Sequence, residues 1–183
     1  MKTNNTFSIN VSNLHWKTPI DEFPWESTHI DNPYDICLHG DVIVTIGGEV
    51  LKERLALNAA SLYLLRTLTE DHIIDIENPD PIMPCCGHSL HAMEGVDDVV
   101  IIGCPNGLDF SVERENNKVR ITTESRKSIL ILFEEYKKVV YHFVDEVKLA
   151  YEHSSPKIIE DEYSNKGYEL FWKEWSRRRT AEV

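Results

Sequence analysis

Apolar residues recur along this chain with two different periods, and each period predicts its own kind of element. Leu108, Phe110 and Val112 alternate with Asp109, Ser111 and Glu113, and Val119 and Ile121 alternate with Lys118, Arg120 and Thr122. Alternation with period two places one apolar face on each of two strands. Glu115-Asn116-Asn117 supplies the turn between them. Val99 to Ile102 is a short continuous apolar run bounded by Asp97-Asp98 and Gly103, which predicts a central strand, with Pro105-Asn106-Gly107 turning into the next one. Ile129 to Leu132 reads as a fourth strand of the same antiparallel meander.

The period then changes. Phe133, Tyr136, Val140, Phe143, Val144, Val147 and Tyr151 fall three or four residues apart, with Glu134, Glu135, Lys137, Lys138, Asp145, Glu146 and Lys148 between them. This predicts an amphipathic helix lying on the sheet and stopped by Ser154-Ser155-Pro156. A shorter terminal helix is expected from about Asn165 to Arg178, with Tyr168, Phe171, Trp172 and Trp175 on one face. Its closing Arg177-Arg178-Arg179 complements the helix dipole and reads as a solubilising end.

In the N-terminal half the pattern is less regular. Ile36 and Leu38, then Val42, Val44 and Ile46, broken by His39-Gly40-Asp41, predict a hairpin from Tyr34 to Ile46 that Gly47-Gly48 ends. The two glycines belong to no phosphate-binding signature. Residues 51 to 69 are rich in leucine and alanine, with no Gly or Pro between them, which predicts a buried central helix. Residues 1 to 33 keep neither period. With Trp16, Pro19, Phe23, Pro24, Trp25 and Pro33 they read as an irregular arm whose aromatics pack onto the body or, alternatively, face a partner.

The expected architecture is therefore a single α+β domain over residues 1–183. A central antiparallel β-meander carries a long amphipathic helix, with the buried helix of the N-terminal half and the C-terminal helix packed on it. A chain of 183 residues suits one core better than two.

Charge narrows the function. The 31 acidic residues outnumber the 19 basic ones, for a formal charge of −12. Such a chain repels phosphate backbones, so no nucleic-acid partner is expected. Met1-Lys2-Thr3-Asn4-Asn5 begins no secretory signal, and no apolar run is long enough for a bilayer, so neither a membrane nor an extracellular setting is expected and the location predicted is cytoplasmic.

Two groups of residues are candidates for function. The first is acidic: Glu70, Asp71, Asp75, Glu77 and Asp80 in a proline-punctuated loop, and the run Glu160-Asp161-Glu162. Exposed carboxylates speed association with a basic protein, and aromatic or aliphatic anchors supply affinity. The expectation is a non-catalytic, protein-binding protein, regulatory or of the immunity kind that neutralises basic toxins. That likeness is one of size, charge and layout, and no residue roles follow from it.

The second group is soft. Cys85, Cys86, His88, His91 and Cys104 offer five ligands for a zinc ion within two loops, although their spacing matches no familiar finger or ribbon. Cys86 or Cys104 with His88 or His91 would alternatively form a thiol nucleophile and its base. This group carries the alternative expectation, a small zinc- or thiol-dependent enzyme or a structural zinc protein. Against both stands the reading of buried small thiols at a packed junction, with no cofactor.

Overall fold

The computed structural model describes residues 6–17, 31–85 and 89–181. Its elements run β1 (Phe7–His15), β2 (His39–Ile46), β3 (Glu49–Ala56), α1 (Leu57–Arg66), β4 (Met83–Pro84), β5 (Ser89–His91), β6 (Val100–Ile102), β7 (Gly107–Leu108), β8 (Phe110–Glu115), β9 (Lys118–Thr123), β10 (Ser128–Leu132), α2 (Phe133–Glu152) and α3 (Glu162–Thr180). Two three-stranded antiparallel sheets, ordered β1-β2-β3 and β10-β9-β8, are joined by the ribbons β4-β7 and β5-β6. The fold is the expected α+β class.

The meander is displaced by one strand from its expected position. Strands β8, β9 and β10 form it, with Val112 opposite Ile121 and Ile129 opposite Ile121 on the other side. Val100–Ile102 instead pairs with Ser89–His91, away from the sheet. Val99, just before β6, is buried in the core, and within the strand Ile101 packs against it while Val100 and Ile102 face out.

The first sheet overturns two sequence expectations. Phe7, Ile9 and Val11 alternate with Ser8, Asn10 and Ser12, and they pair with β2 in register from Phe7 opposite Ile46 to Ser12 opposite Asp41. So the stretch expected to be irregular contains a nine-residue strand. Trp16 does pack as expected, 5% exposed with its ring edge-on to Tyr151 at 4.7 Å. Pro19, Phe23, Pro24 and Trp25 lie outside the described residues.

The hairpin turn is Gly47-Gly48, not His39-Gly40-Asp41. Both glycines have positive φ, 57° and 84°. A type I′ turn, whose twist matches that of the strands it joins, requires that conformation at both positions. The chain then returns as β3, Ile46 facing Glu49 and His39 facing Ala56. Residues 51–56 of β3 are thus strand where a helix was expected, and the helix begins only at Leu57. Leu-Lys-Glu-Arg-Leu is rich in helix formers, but backbone pairing with β2 outweighs a propensity difference of a few tenths of a kcal/mol per residue.

Within α1 the expectation of burial holds: Leu57, Ala59, Ala60, Leu62, Leu64 and Leu65 are at most 1% exposed. The helix sits between α2 and α3. Helix α2 lays Tyr136, Val140, Phe143, Val144 and Val147 into the core against β1, β9 and β10. Phe7 stacks on Tyr136 with ring centres 5.4 Å apart, and the Tyr136 hydroxyl meets Thr67 Oγ1 at 2.6 Å. Burial pushes the Tyr136 phenol well above its ordinary range.

Helix α3 is longer than expected at both ends. Asp161 caps it by accepting from the Ser164 N–H at 2.7 Å. Phe171 and Trp175 are buried, and Trp172 meets Tyr151 edge-on at 4.9 Å. Gly167 lets α3 touch β5: a Cβ there would lie 1.9 Å from the Leu90 carbonyl oxygen. No described helix is long and apolar enough to cross a membrane.

Candidate functional site

The loop between α1 and β4 leaves the core at Thr67 and is fastened at several points. His72 exchanges two backbone hydrogen bonds with Val112, at 2.9 and 2.7 Å. The His72 ring meets Asp109 Oδ1 at 2.7 Å, and the same oxygen accepts from the N–H groups of Ile82 and Phe110. Ser111 Oγ accepts from the Ile74 N–H at 3.1 Å, and Asp71 accepts from the Arg114 N–H at 2.9 Å. At the far end the Tyr63 hydroxyl donates to Asp80 at 3.3 Å.

The tip of the loop is a turn made by Asp75. Its Oδ1 accepts from the N–H groups of Glu77 and Asn78, at 2.9 and 3.1 Å. This side chain replaces a backbone turn and fixes the tip. These bonds, the one from Asn78 first, hold the Asp75 carboxyl below its usual range and therefore charged.

Between Asp75 and Glu77 stands Ile76, 90% exposed, and Ile73 nearby is 56% exposed. The candidate surface is thus two bare isoleucines set among Asp71, Asp75, Glu77 and Asp80, all exposed. The carboxylates were legible in the sequence. The isoleucines were passed over, although their signal is there: in Ile73-Ile74-Asp75-Ile76-Glu77 Ser111 takes the backbone of Ile74 inward and leaves Ile73 and Ile76 outside.

Glu70 has a different fate. It pairs with Arg178 Nη1 at 2.8 Å, at the edge of a charged cluster that ties α3 to α1. At the centre lies Glu174, fully buried. It receives Arg66 through two nitrogens at 2.8 and 3.0 Å, Arg178 at 2.8 Å and the Val99 N–H at 2.8 Å. Arg66 also donates to the Val99 carbonyl at 2.7 Å. Asp98 binds Arg178 at 3.0 Å and also Arg177, while Arg179 reaches Asp145 at 2.7 Å. The triple arginine is therefore mortar between elements rather than a solvated end. Asp98 likewise belongs to the body.

The second acidic run is structural at its centre. Asp161 is the α3 cap, and Glu162 pairs with Lys166 at 2.7 Å; Glu160 is exposed. Glu70 and Asp161 stand near opposite ends of α3, about 25 Å apart at 1.5 Å per residue.

Cys86 and His88 lie outside the described residues. His91 is engaged by the Tyr163 hydroxyl at 2.8 Å and Ser89 Oγ at 2.9 Å. It pairs opposite Val100 in the ribbon β5-β6, which ends at Ile102, two residues before Cys104. Cys85 and Cys104 do meet, with sulfurs 3.3 Å apart.

The strand pair β4-β7 brings them together. Pro84 faces Gly107, and the Cys85 N–H donates to the Asn106 carbonyl at 2.9 Å. A Cβ on Gly107 would fall 2.2 Å from the Met83 carbonyl oxygen, so only glycine admits this approach. Asn106 turns its amide onto Cys104 Sγ at 3.4 Å, a contact that sequence reading assigned only to turn formation. Two sulfurs do not complete a zinc shell of four, and no group of three or more His, Cys, Asp or Glu able to hold a metal occurs among the described residues. No protein-family model matches the chain, and neither a curated protein nor a solved structure is similar to it.

Proposed function

We propose that this chain is a protein-binding protein that presents the loop of residues 70–80 to a basic partner. The observation that carries the reading is Ile76, 90% exposed at the tip of a turn whose flanking side chains are carboxylates. An isoleucine left in water gains roughly 1.5–3 kcal/mol when a partner buries it, and a ring of polar groups around such an anchor is the usual arrangement of a binding hot spot. The fastened loop supports the same reading, because a surface already ordered loses little conformational freedom on binding.

The charge supports a basic partner. Asp71, Asp75, Glu77 and Asp80 add a local negative field to a chain of formal charge −12. Neutralisation of a basic toxin, in the manner of immunity proteins, is one function of this class, and regulation of a basic enzyme is another. The setting proposed is the cytoplasm.

Capture from the native host tests the reading. The wild-type chain, Ile76→Asp and the pair Asp75→Asn with Glu77→Gln are compared as baits. A basic protein retained by the wild type, lost by Ile76→Asp and weakened by salt or by the neutral pair is the expected result. Equal retention by all three baits would refute it.

A further inference from the structure

We propose that Cys85 and Cys104 are a reversible dithiol–disulfide pair whose oxidant is a low-molecular-weight disulfide. Their sulfurs lie 3.3 Å apart, while a disulfide bond is about 2.05 Å long, so closure asks each sulfur to move roughly 0.6 Å. Cys85 lies next to the paired residue Pro84, and Cys104 follows β6 by two residues, so small backbone adjustments suffice. Both thiols are half-buried and reachable, whereas Cys37 is buried and receives the Asn58 amide at 3.9 Å.

The two sulfurs have different roles. Cys104 Sγ receives both the Cys85 thiol and the Asn106 amide N–H. Donors aimed at one sulfur hold negative charge there, which makes Cys104 the attacking thiolate and Cys85 the resolving one. The Cys104 thiolate attacks one sulfur of the external disulfide, forms a mixed disulfide and expels the first small thiolate. The Cys85 thiolate then attacks Cys104 Sγ, forms the internal bond and expels the second. The two protons released by the protein thiols pass to the two leaving thiolates. The protein loses two electrons and the small disulfide becomes two thiols.

The bond would tie the end of β4 to the segment after β6. It would close a loop containing the ribbon β5-β6, where Val100 and Ile102 are 40% and 57% exposed. Such a cross-link restricts the opening of that ribbon. The chemistry requires no partner protein, so it stands or falls separately from the acidic loop.

The probe is glutathione disulfide, applied to the full chain, with zinc measured in the protein as purified. Acid quench, intact mass and peptide mapping should show loss of two hydrogens and a peptide joined through Cys85 and Cys104. Cys85→Ser should accumulate glutathione on residue 104. Cys104→Ser should react at least tenfold more slowly at residue 85. Cys85→Ala, checked by its thermal unfolding, repeats the first variant with a different side chain. Thiols that survive excess glutathione disulfide, a bond to Cys86 or Cys37 instead, or stoichiometric zinc that protects both sulfurs would each overturn the proposal.

Discussion

Two regions of this molecule are built from the same kinds of charge and use them in opposite ways. Around Glu174, Arg66 of α1 and Arg178 of α3 turn inward, and both oxygens of the buried carboxylate meet donors, the Val99 N–H among them. In the loop of residues 70–80 the carboxylates turn outward and spend their inner hydrogen bonds on shaping a turn that lifts Ile76 into solvent. A charge that is buried and fully partnered fixes where helices sit. A charge left outside beside an apolar side chain is available to another molecule. Glu70 stands at the border, in the loop by sequence and in the cluster by its bond to Arg178.

The comparison predicts unequal responses to substitution. Glu174→Ala strands Arg66 and the 9%-exposed Arg178 without their common partner and leaves the Val99 N–H bare. Removing one member of a buried pair typically costs about 3–5 kcal/mol, and chemical denaturation should show a loss of that size. Gly167→Ala attacks the packing of the same helix against β5 by shape alone, since the added methyl meets the Leu90 carbonyl at 1.9 Å. A loss of about 2–3 kcal/mol is expected, as for overpacking against backbone.

Charge alone separates the regions more finely. Burial raises the Asp98 carboxyl, but Arg178 and Arg177 outweigh it and hold the group below its ordinary value of 3.8. A folded value below the unfolded one means that Asp98 contributes stability above pH 3.8 and that this contribution disappears as pH falls through the folded value. The gap in Tm between the wild type and Asp98→Asn should therefore be constant near neutral pH and close in acid. Thermal scans across that range check it. A gap that widened in acid would contradict the assignment.

How far these regions could be read from sequence depends on the range of their contacts. Helix α2 and strands β8 to β10 were legible because their periods are local and their faces are clean. Strand β3 was not, because Leu51 to Leu55 is composed of helix formers and only pairing to β2 across Gly47-Gly48 makes it strand. Strand β1 was hidden for a different reason: its alternation is clear from Phe7 to Ser12, but the prolines and tryptophans that follow dominated the reading.

The sites divide in the same manner. The spacing of Glu174 and Arg178 shows a helical ion pair, while Arg66 comes from 108 residues away and no pattern announces it. Cys85 and Cys104 meet beyond the ends of β4 and β7, 19 residues apart in the chain, and no local pattern announces that contact.

The smallest expected change in stability belongs to the loop, and it accompanies the largest expected change in binding. Ile76→Asp removes no buried contact, so unfolding should shift by no more than about 0.5 kcal/mol. Once a basic partner is captured, its affinity for the wild type and for Ile76→Asp is the most direct measurement of the account. A dissociation constant about 30-fold weaker at unchanged Tm, the loss of about 2 kcal/mol expected of a hot spot, is the predicted result. Equal affinity for the two proteins would show that the partner binds elsewhere and that the exposed isoleucine is not the anchor.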